Sequence, residues 1–159
     1  MNNSRDKIFK NLVKFKNNTP LEIKTFQSNY ENIEEEFIKK AKIAGATIYS
    51  TKEEIENFYK QQLKSSFTYH ALLGVAENGA LWCYDFLGLK RSNLFTCTEL
   101  IITIRKSNLV SNMDEAYKKI DLSKKRFGTF IAGPSKTADI EQSLVIGAHG
   151  AMSLHIILT

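Results

Sequence analysis

Ile8, Leu12 and Phe15 recur at the i, i+4, i+7 spacing of one helix face, with Arg5, Lys7, Lys10 and Lys14 around them. Residues 4–16 therefore read as a short amphipathic helix with Ser4 as its N-cap. Such a helix fits an N-terminal element docked on the domain or on a neighbouring subunit; a membrane-surface helix or a transit peptide is the alternative. Asn17-Asn18-Thr19-Pro20 breaks it, and residues 21–26 alternate like a strand or an extended link. From Glu31 the period is helical again. Ile33, Phe37, Ile38 and Ala41 share a face, Glu34, Glu35, Lys39 and Lys40 turn to water, and Gly45 stops the helix. Residues 46–49 form a short buried strand. Ser50-Thr51-Lys52-Glu53 reads as a capping box that opens a helix to about Leu63, with Ile55, Phe58 and Tyr59 inward.

The middle of the chain is strand-rich. Residues 69–76 and 80–85 flank Glu77-Asn78-Gly79, a tight-turn signal because Asn and Gly both tolerate positive φ. Residues 100–104 are an unbroken apolar run, the mark of a strand buried on both faces. Asn112 caps a further helix with Glu115 at the box position and Met113, Ala116, Tyr117 and Ile120 inward. A strand over 127–132, a helix over 137–146 and a final strand over 153–159 complete the pattern. Strand–helix alternation at this spacing gives an α/β domain with parallel strands.

Composition bounds the rest. A chain of 159 residues that is 43% hydrophobic and 25% charged fits one soluble domain, divided here into an N-terminal arm, 1–18, and a domain, 19–159. The net charge of +5 raises the question of nucleic acid. Lysine outnumbers arginine 18 to 4, the lysines are spread over the whole length, and no binding motif appears, so no nucleic-acid partner is expected. No apolar run reaches the roughly 18 residues of a membrane span and no signal-peptide core follows the start, which points to the cytoplasm. Cys83 and Cys97 stand without a C-x-x-C pair or a histidine at ligand spacing, so neither a structural zinc nor an iron–sulfur cluster is expected in this chain, and no metal.

The run GPSKTADIEQSLVIGAHGAMSLHIIL, residues 133–158, closely resembles the signature ending of the lactate-utilisation protein C family, the LUD domain. Ala76-Glu77-Asn78-Gly79-Ala80-Leu81 is similar to that family's strand–Glu-x-Gly–strand turn, with Asn78 where members more usually carry Thr. Glu99-Leu100-Ile101-Ile102-Thr103-Ile104 and Asn108-Leu109-Val110-Ser111 match its next strand and the step after it, and the helix beginning Ser4-Arg5-Asp6-Lys7 has a counterpart. Two places depart from the pattern, Leu81-Trp82-Cys83-Tyr84 and the insert through Lys90-Arg91. The resemblance implies a fold similar to the phosphosugar-isomerase and CoA-transferase superfamily, a Rossmann-like three-layer domain with a mostly parallel sheet. It also implies a place in bacterial oxidation of L-lactate to pyruvate, beside partner proteins that carry iron–sulfur clusters. A non-cluster component would bind a small carboxylate such as lactate or its partner subunits, and assembly with further copies of itself stays open.

The candidate chemistry gathers near the end of the chain. Gly133-Pro134-Ser135-Lys136-Thr137 joins an expected strand to an expected helix, and in such sheets ligands bind outside the carboxyl ends of strands. Free N–H groups and the helix dipole favour an anion there; Ser135 and Thr137 offer hydroxyls and Lys136 a positive charge. Asp139 in the first turn makes a carboxylate fit better than a phosphate, while Thr137 capping its own helix is the plain structural alternative. His149, between Gly147 and Gly150, offers an imidazole for moving a proton, as oxidation of a 2-hydroxy acid requires, or a structural hydrogen bond. This turn and the one at 133–137 are expected to border one cavity at the carboxyl edge of the parallel sheet. His155 alternates with Leu154 and Ile156 and reads as a satisfied sheet histidine; His70 is unassigned. Glu77 resembles the nucleophilic glutamate that the CoA-transferase relatives carry in a Glu-Asn-Gly turn, which makes a stand-alone transferase or sugar-phosphate-type enzyme the alternative function, although Asn-Gly alone explains a hairpin. A basic binding module for nucleic acid or a membrane surface is the second alternative. A Gly-x-Gly-x-x-Gly loop and a recognisable flavin motif are both missing from the sequence, so the chain by itself is not expected to oxidise lactate.

Overall fold

The structure, a computed structural model, describes residues 4–14, 30–61, 66–84, 92–121, 123, 127–140, 143–146 and 150–159; for 12–14, 95, 137–140 and 143–146 it describes the backbone. In chain order the elements are α1 (Ser4–Lys14), α2 (Ile33–Ile43), β1 (Thr47–Tyr49), α3 (Lys52–Tyr59), β2 (Ser66–His70), β3 (Leu73–Val75), β4 (Ala80–Tyr84), α4 (Asn93–Thr96), β5 (Glu99–Ile104), β6 (Leu109–Val110), α5 (Met113–Lys119), β7 (Gly128–Ile131), β8 (Lys136–Ile140), β9 (Ser143–Ile146) and β10 (Ser153–Leu158).

Strands β1, β10, β5 and β2 lie in that order and are parallel throughout, with Ile48, Ile156 and Ile102 abreast. Alternation along β5 and β10 divides their side chains between two layers. Leu100, Ile102, Ile104, Leu154, Ile156 and Leu158 face Phe37 and Ala41 of α2, while Ile101 and Ile157 meet Phe58 of α3 on the other side. Helix, parallel sheet, helix is the three-layer α/β arrangement. Ile102 and Ile156 are fully buried, and each such side chain contributes about 1.5–3 kcal/mol by leaving water.

A second sheet, ordered β6-β3-β4-β7, closes the core from beyond α2. β3 is parallel to β6, and β4 is antiparallel to β3 and β7. Leu81, Cys83 and Leu109 join the core around α2, and Val75 and Val110 pack under Ala116 of α5 on the opposite face. The expected single strand over 69–76 is therefore two strands in two sheets. At the junction Ala71 N donates to Thr103 O of the first sheet, and Leu72 N donates to Trp82 O of the second.

Local signals explain the helices. Asn32 accepts from Glu35 N at the start of α2, three glutamates fill the first turn, and Gly45 takes φ 99° beyond the last. The box that opens α3 is Thr51–Glu54, one residue later than the sequence reading: Thr51 Oγ1 accepts from Glu54 N, and Glu54 Oε2 accepts from the N–H of Thr51 and Ser50. The sequence Ser50-Thr51-Lys52-Glu53-Glu54 holds the box pattern in two frames, and only the second gives both reciprocal bonds. These backbone donors hold the Glu54 carboxyl below its ordinary range.

Two further expectations need correction. Residues 137–140 and 143–146 do not form a helix; they are strands, β8 and β9 paired antiparallel, with Thr137 opposite Val145 and Ile140 opposite Ser143. Thr137, Ile140, Val145 and Ile146 are β-branched, and stiffness at χ1 favours extended backbone over helix. Helix α1 is exposed along residues 4–11, so it does not dock on the described part of the domain; Ile8 is 59% and Phe9 54% exposed, and the Arg5 guanidinium lies over the Phe9 ring. The break at 17–20 and the extended link at 21–26 lie outside the described residues.

Candidate functional site

The turn Gly133-Pro134-Ser135-Lys136 is stitched to the C-terminal end of α2. Gly133 has φ 73°, and a Cβ there would stand 2.1 Å from Ala44 O, so both conformation and close approach require glycine. Lys136 Nζ donates to Ala44 O at 2.8 Å, placing a cation on the negative end of α2. Ser135 N donates to Ala151 O. Ala44 precedes β1 and Ala151 precedes β10, so this turn lies at the amino edge of the parallel sheet and not at its carboxyl edge. With β8 in place of a helix, no helix N-terminus stands behind Ser135 and Lys136 to draw an anion. Thr137 and Asp139 lie on β8, where the backbone alone is described, and His149 lies outside the described residues.

Glu77 sits at the exposed tip of the β3–β4 hairpin. Its Oε2 accepts from Met113 N, the first N–H of α5, at 3.0 Å, and its own N–H donates to Ser111 O. Asn112 accepts from Glu115 N, and Glu115 Oε2 accepts from Ser111 N, so the unsatisfied donors that open α5 are shared among three acceptors. An acid at that place also complements the helix dipole. Gly79, at φ 70°, lets the same hairpin lie on the backbone of α2.

Polar groups also face α3. His155 is half-buried, its Nδ1 is 3.2 Å from the Tyr49 hydroxyl, and its ring centroid lies 5.2 Å from that of Phe58. Burial lowers its pKa against the upward pull of Glu99, so the neutral imidazole is favoured, in keeping with a satisfied sheet histidine. Glu99 and Ser153 are opposite each other in register; Glu99 Oε2 and Ser153 Oγ are buried with no hydrogen-bond partner among the described residues. His70 Nδ1 is 2.8 Å from Thr103 Oγ1. Among the described residues no group of three or more His, Cys, Asp or Glu stands together as metal ligands.

A cavity of about 250 Å³ opens elsewhere, beyond the carboxyl end of β2, where Leu72 leads into β3. Its origin is geometric. α5 has seven residues and covers only part of the second sheet, and past its last turn the buried Trp82 and Tyr84 of β4, on the same face as Leu73, wall the cavity. Leu72, Leu73 and Ile120 supply apolar wall, Trp82 and Tyr84 aromatic wall, and Lys119 and Asp121 line the mouth. Trp82 is braced by Phe130, with ring centroids 4.7 Å apart. Gly128 makes room for it, since a Cβ there would stand 2.3 Å from the indole. The sequence marked this place only as Leu81-Trp82-Cys83-Tyr84, a departure from the family pattern.

Known proteins show what the chain is similar to. The sequence profile of the family described as LUD domain matches residues 9–159. The lactate utilization protein C of Shouchella clausii is 37% identical over 83 residues, 49% of this chain and 36% of the relative. That of Halalkalibacterium halodurans is 38% identical over 82 residues, covering 48% and 36%. One from a Geobacillus species is 32% identical over 108 residues, covering 64% and 44%. The matched stretch thus spans less than half of each of these relatives. In three dimensions, the crystal structure of a duf162 family protein from Deinococcus radiodurans superposes with a TM-score of 0.59 over 79% of this chain and 95% of that one, at 12% identity, which shows the shared fold. With the family profile running along all but its first eight residues, the chain belongs to the LUD domain family.

Proposed function

We propose that this chain works in L-lactate oxidation to pyruvate as the component that carries no iron–sulfur cluster, beside partner proteins that do. The observation that carries this reading is the family match over residues 9–159, together with relatives that share the name lactate utilization protein C. Redox chemistry on a 2-hydroxy acid needs an electron acceptor. These 159 residues hold two cysteines, where a cluster held by one chain takes about four ligands, so the clusters belong to partners. The cytoplasm is the proposed compartment; no helix among the described residues is long and apolar enough to cross a membrane. A stand-alone transferase draws no support from Glu77, whose carboxylate accepts from the first N–H of α5 at an exposed turn.

Affinity-tagged chain purified from bacteria grown on L-lactate tests the partnership. Cluster-bearing proteins should co-purify, and the assembly, but not the isolated chain, should reduce an artificial electron acceptor when given L-lactate. Recovery of the tagged chain without any cluster protein, or lactate oxidation by the chain alone, contradicts the proposal.

A further inference from the structure

We propose that β2, the edge strand of the parallel sheet, is the surface on which a second copy of this chain docks, the two β2 strands running antiparallel about a two-fold axis at Thr68. On one side β2 bonds to β5, and among the described residues no strand lies on the other. Ala71 N donates to Thr103 O, so Phe67 and Tyr69, in step with Ala71, turn their backbone groups to β5. The N–H and C=O of Ser66, Thr68 and His70 therefore point away from the sheet, and these three residues are exposed. Proteins protect such an edge with charge, proline, a bulge or brevity. Residues 66–70 hold no Lys, Arg, Asp, Glu or Pro, and they pair with β5 in unbroken register. The other edges are shorter: β1 has three residues, β6 two, and β7 four, starting on Gly128.

The occupant follows from the strand's own pattern. Turned about Thr68, an antiparallel partner identical to β2 sets Thr68 against Thr68, Ser66 against His70 and Phe67 against Tyr69. The outward residues fall on hydrogen-bonded pairs, which gives about six backbone bonds across the junction. Phe67 and Tyr69 fall on the closer, non-hydrogen-bonded pairs, on the face where both already pack against the core. No like charges meet. A two-fold axis normal to the sheet keeps α2 of both copies on one face and α3 of both on the other, so the apolar layer continues from one copy into the next. A strand of another protein would need its own match at every position, whereas β2 supplies one in itself. This surface is separate from the lactate reading, and neither depends on the other.

Sedimentation equilibrium of the full chain over a range of concentrations is the test. The mass should rise to twice the 18.1 kDa of one chain. Thr68→Pro removes only an outward N–H, which an edge strand tolerates, and Thr68→Lys sets two like charges together at the axis. Each should raise the dimer dissociation constant about tenfold or more while circular dichroism stays unchanged. Thr68→Glu should do the same. An equimolar mixture of Thr68→Lys and Thr68→Glu should then regain the dimer, because the two charges meet with opposite sign. A chain that stays monomeric at its highest soluble concentration, a dimer that Thr68→Pro and Thr68→Lys both leave unchanged, or a mixture that stays monomeric would overturn the proposal.

Discussion

Gly79→Ala is expected to destabilise the protein by roughly 3–5 kcal/mol, moving its chemical-denaturation midpoint far below that of the parent chain. Two costs add. Gly79 has φ 70°, where an alanine is strained, and an added Cβ would lie 2.4 Å from Ala41 N and 2.6 Å from Ala41 Cα. Those are backbone atoms of α2 and cannot rotate aside. Relief requires α2 to lift away from the hairpin, and α2 carries Phe37 and Ala41, both fully buried where the two sheets meet. Gly79→Asn separates the contributions, because asparagine tolerates the left-handed conformation but brings the same Cβ. It should recover only the smaller part of the loss. If Gly79→Asn were as stable as the parent, the close approach of hairpin and helix would be wrong.

The Cys83 thiol should react with a soluble alkylating reagent about 1000-fold more slowly than an ordinary cysteine at mildly alkaline pH, even before access is considered. Burial in the core pushes its pKa up to about 12 from 9.0, and the thiolate, which is the reacting form, becomes correspondingly scarce. The side chain is also 1% exposed. Cys97 is half-buried and its pKa is raised as well, mainly by burial, so it reacts slowly but first. Mass spectrometry of the labelled chain should find Cys97 modified and Cys83 intact until denaturant is added. Equal labelling of both in the folded protein would place β4 at the surface, against the packing described.

Much of this fold was written in local patterns. Residues 100–104 and 153–159 read as strands because both sheet faces are covered and little polar residue interrupts them. Gly45 reads as the end of α2 because capping is chemistry between near neighbours; Asn32, which caps its start, was not singled out. The failures came where distant contacts decide. Nothing in residues 69–76 shows that hydrogen bonding passes from Thr103 to Trp82 at positions 71 and 72. Residues 137–146 carry a helical spacing of apolar positions, and the β-branched side chains that extend them compete with it. The anion-site reading of Ser135 and Lys136 rested on that helix and on a carboxyl-edge position, while the lysine in fact lies on the carbonyl end of α2. Glu77 was legible as a turn residue; its bond to Met113 N crosses 36 positions of sequence and was not. The cavity had no motif at all, since its wall is drawn from the β2–β3 link, from β4 and from the end of α5.

Growth on L-lactate as the carbon source tests the functional account most directly. Deleting the coding sequence from the source bacterium should abolish that growth and leave growth on pyruvate intact, with the defect reversed by the restored chain. A deletion strain that consumes L-lactate at the parental rate would contradict it.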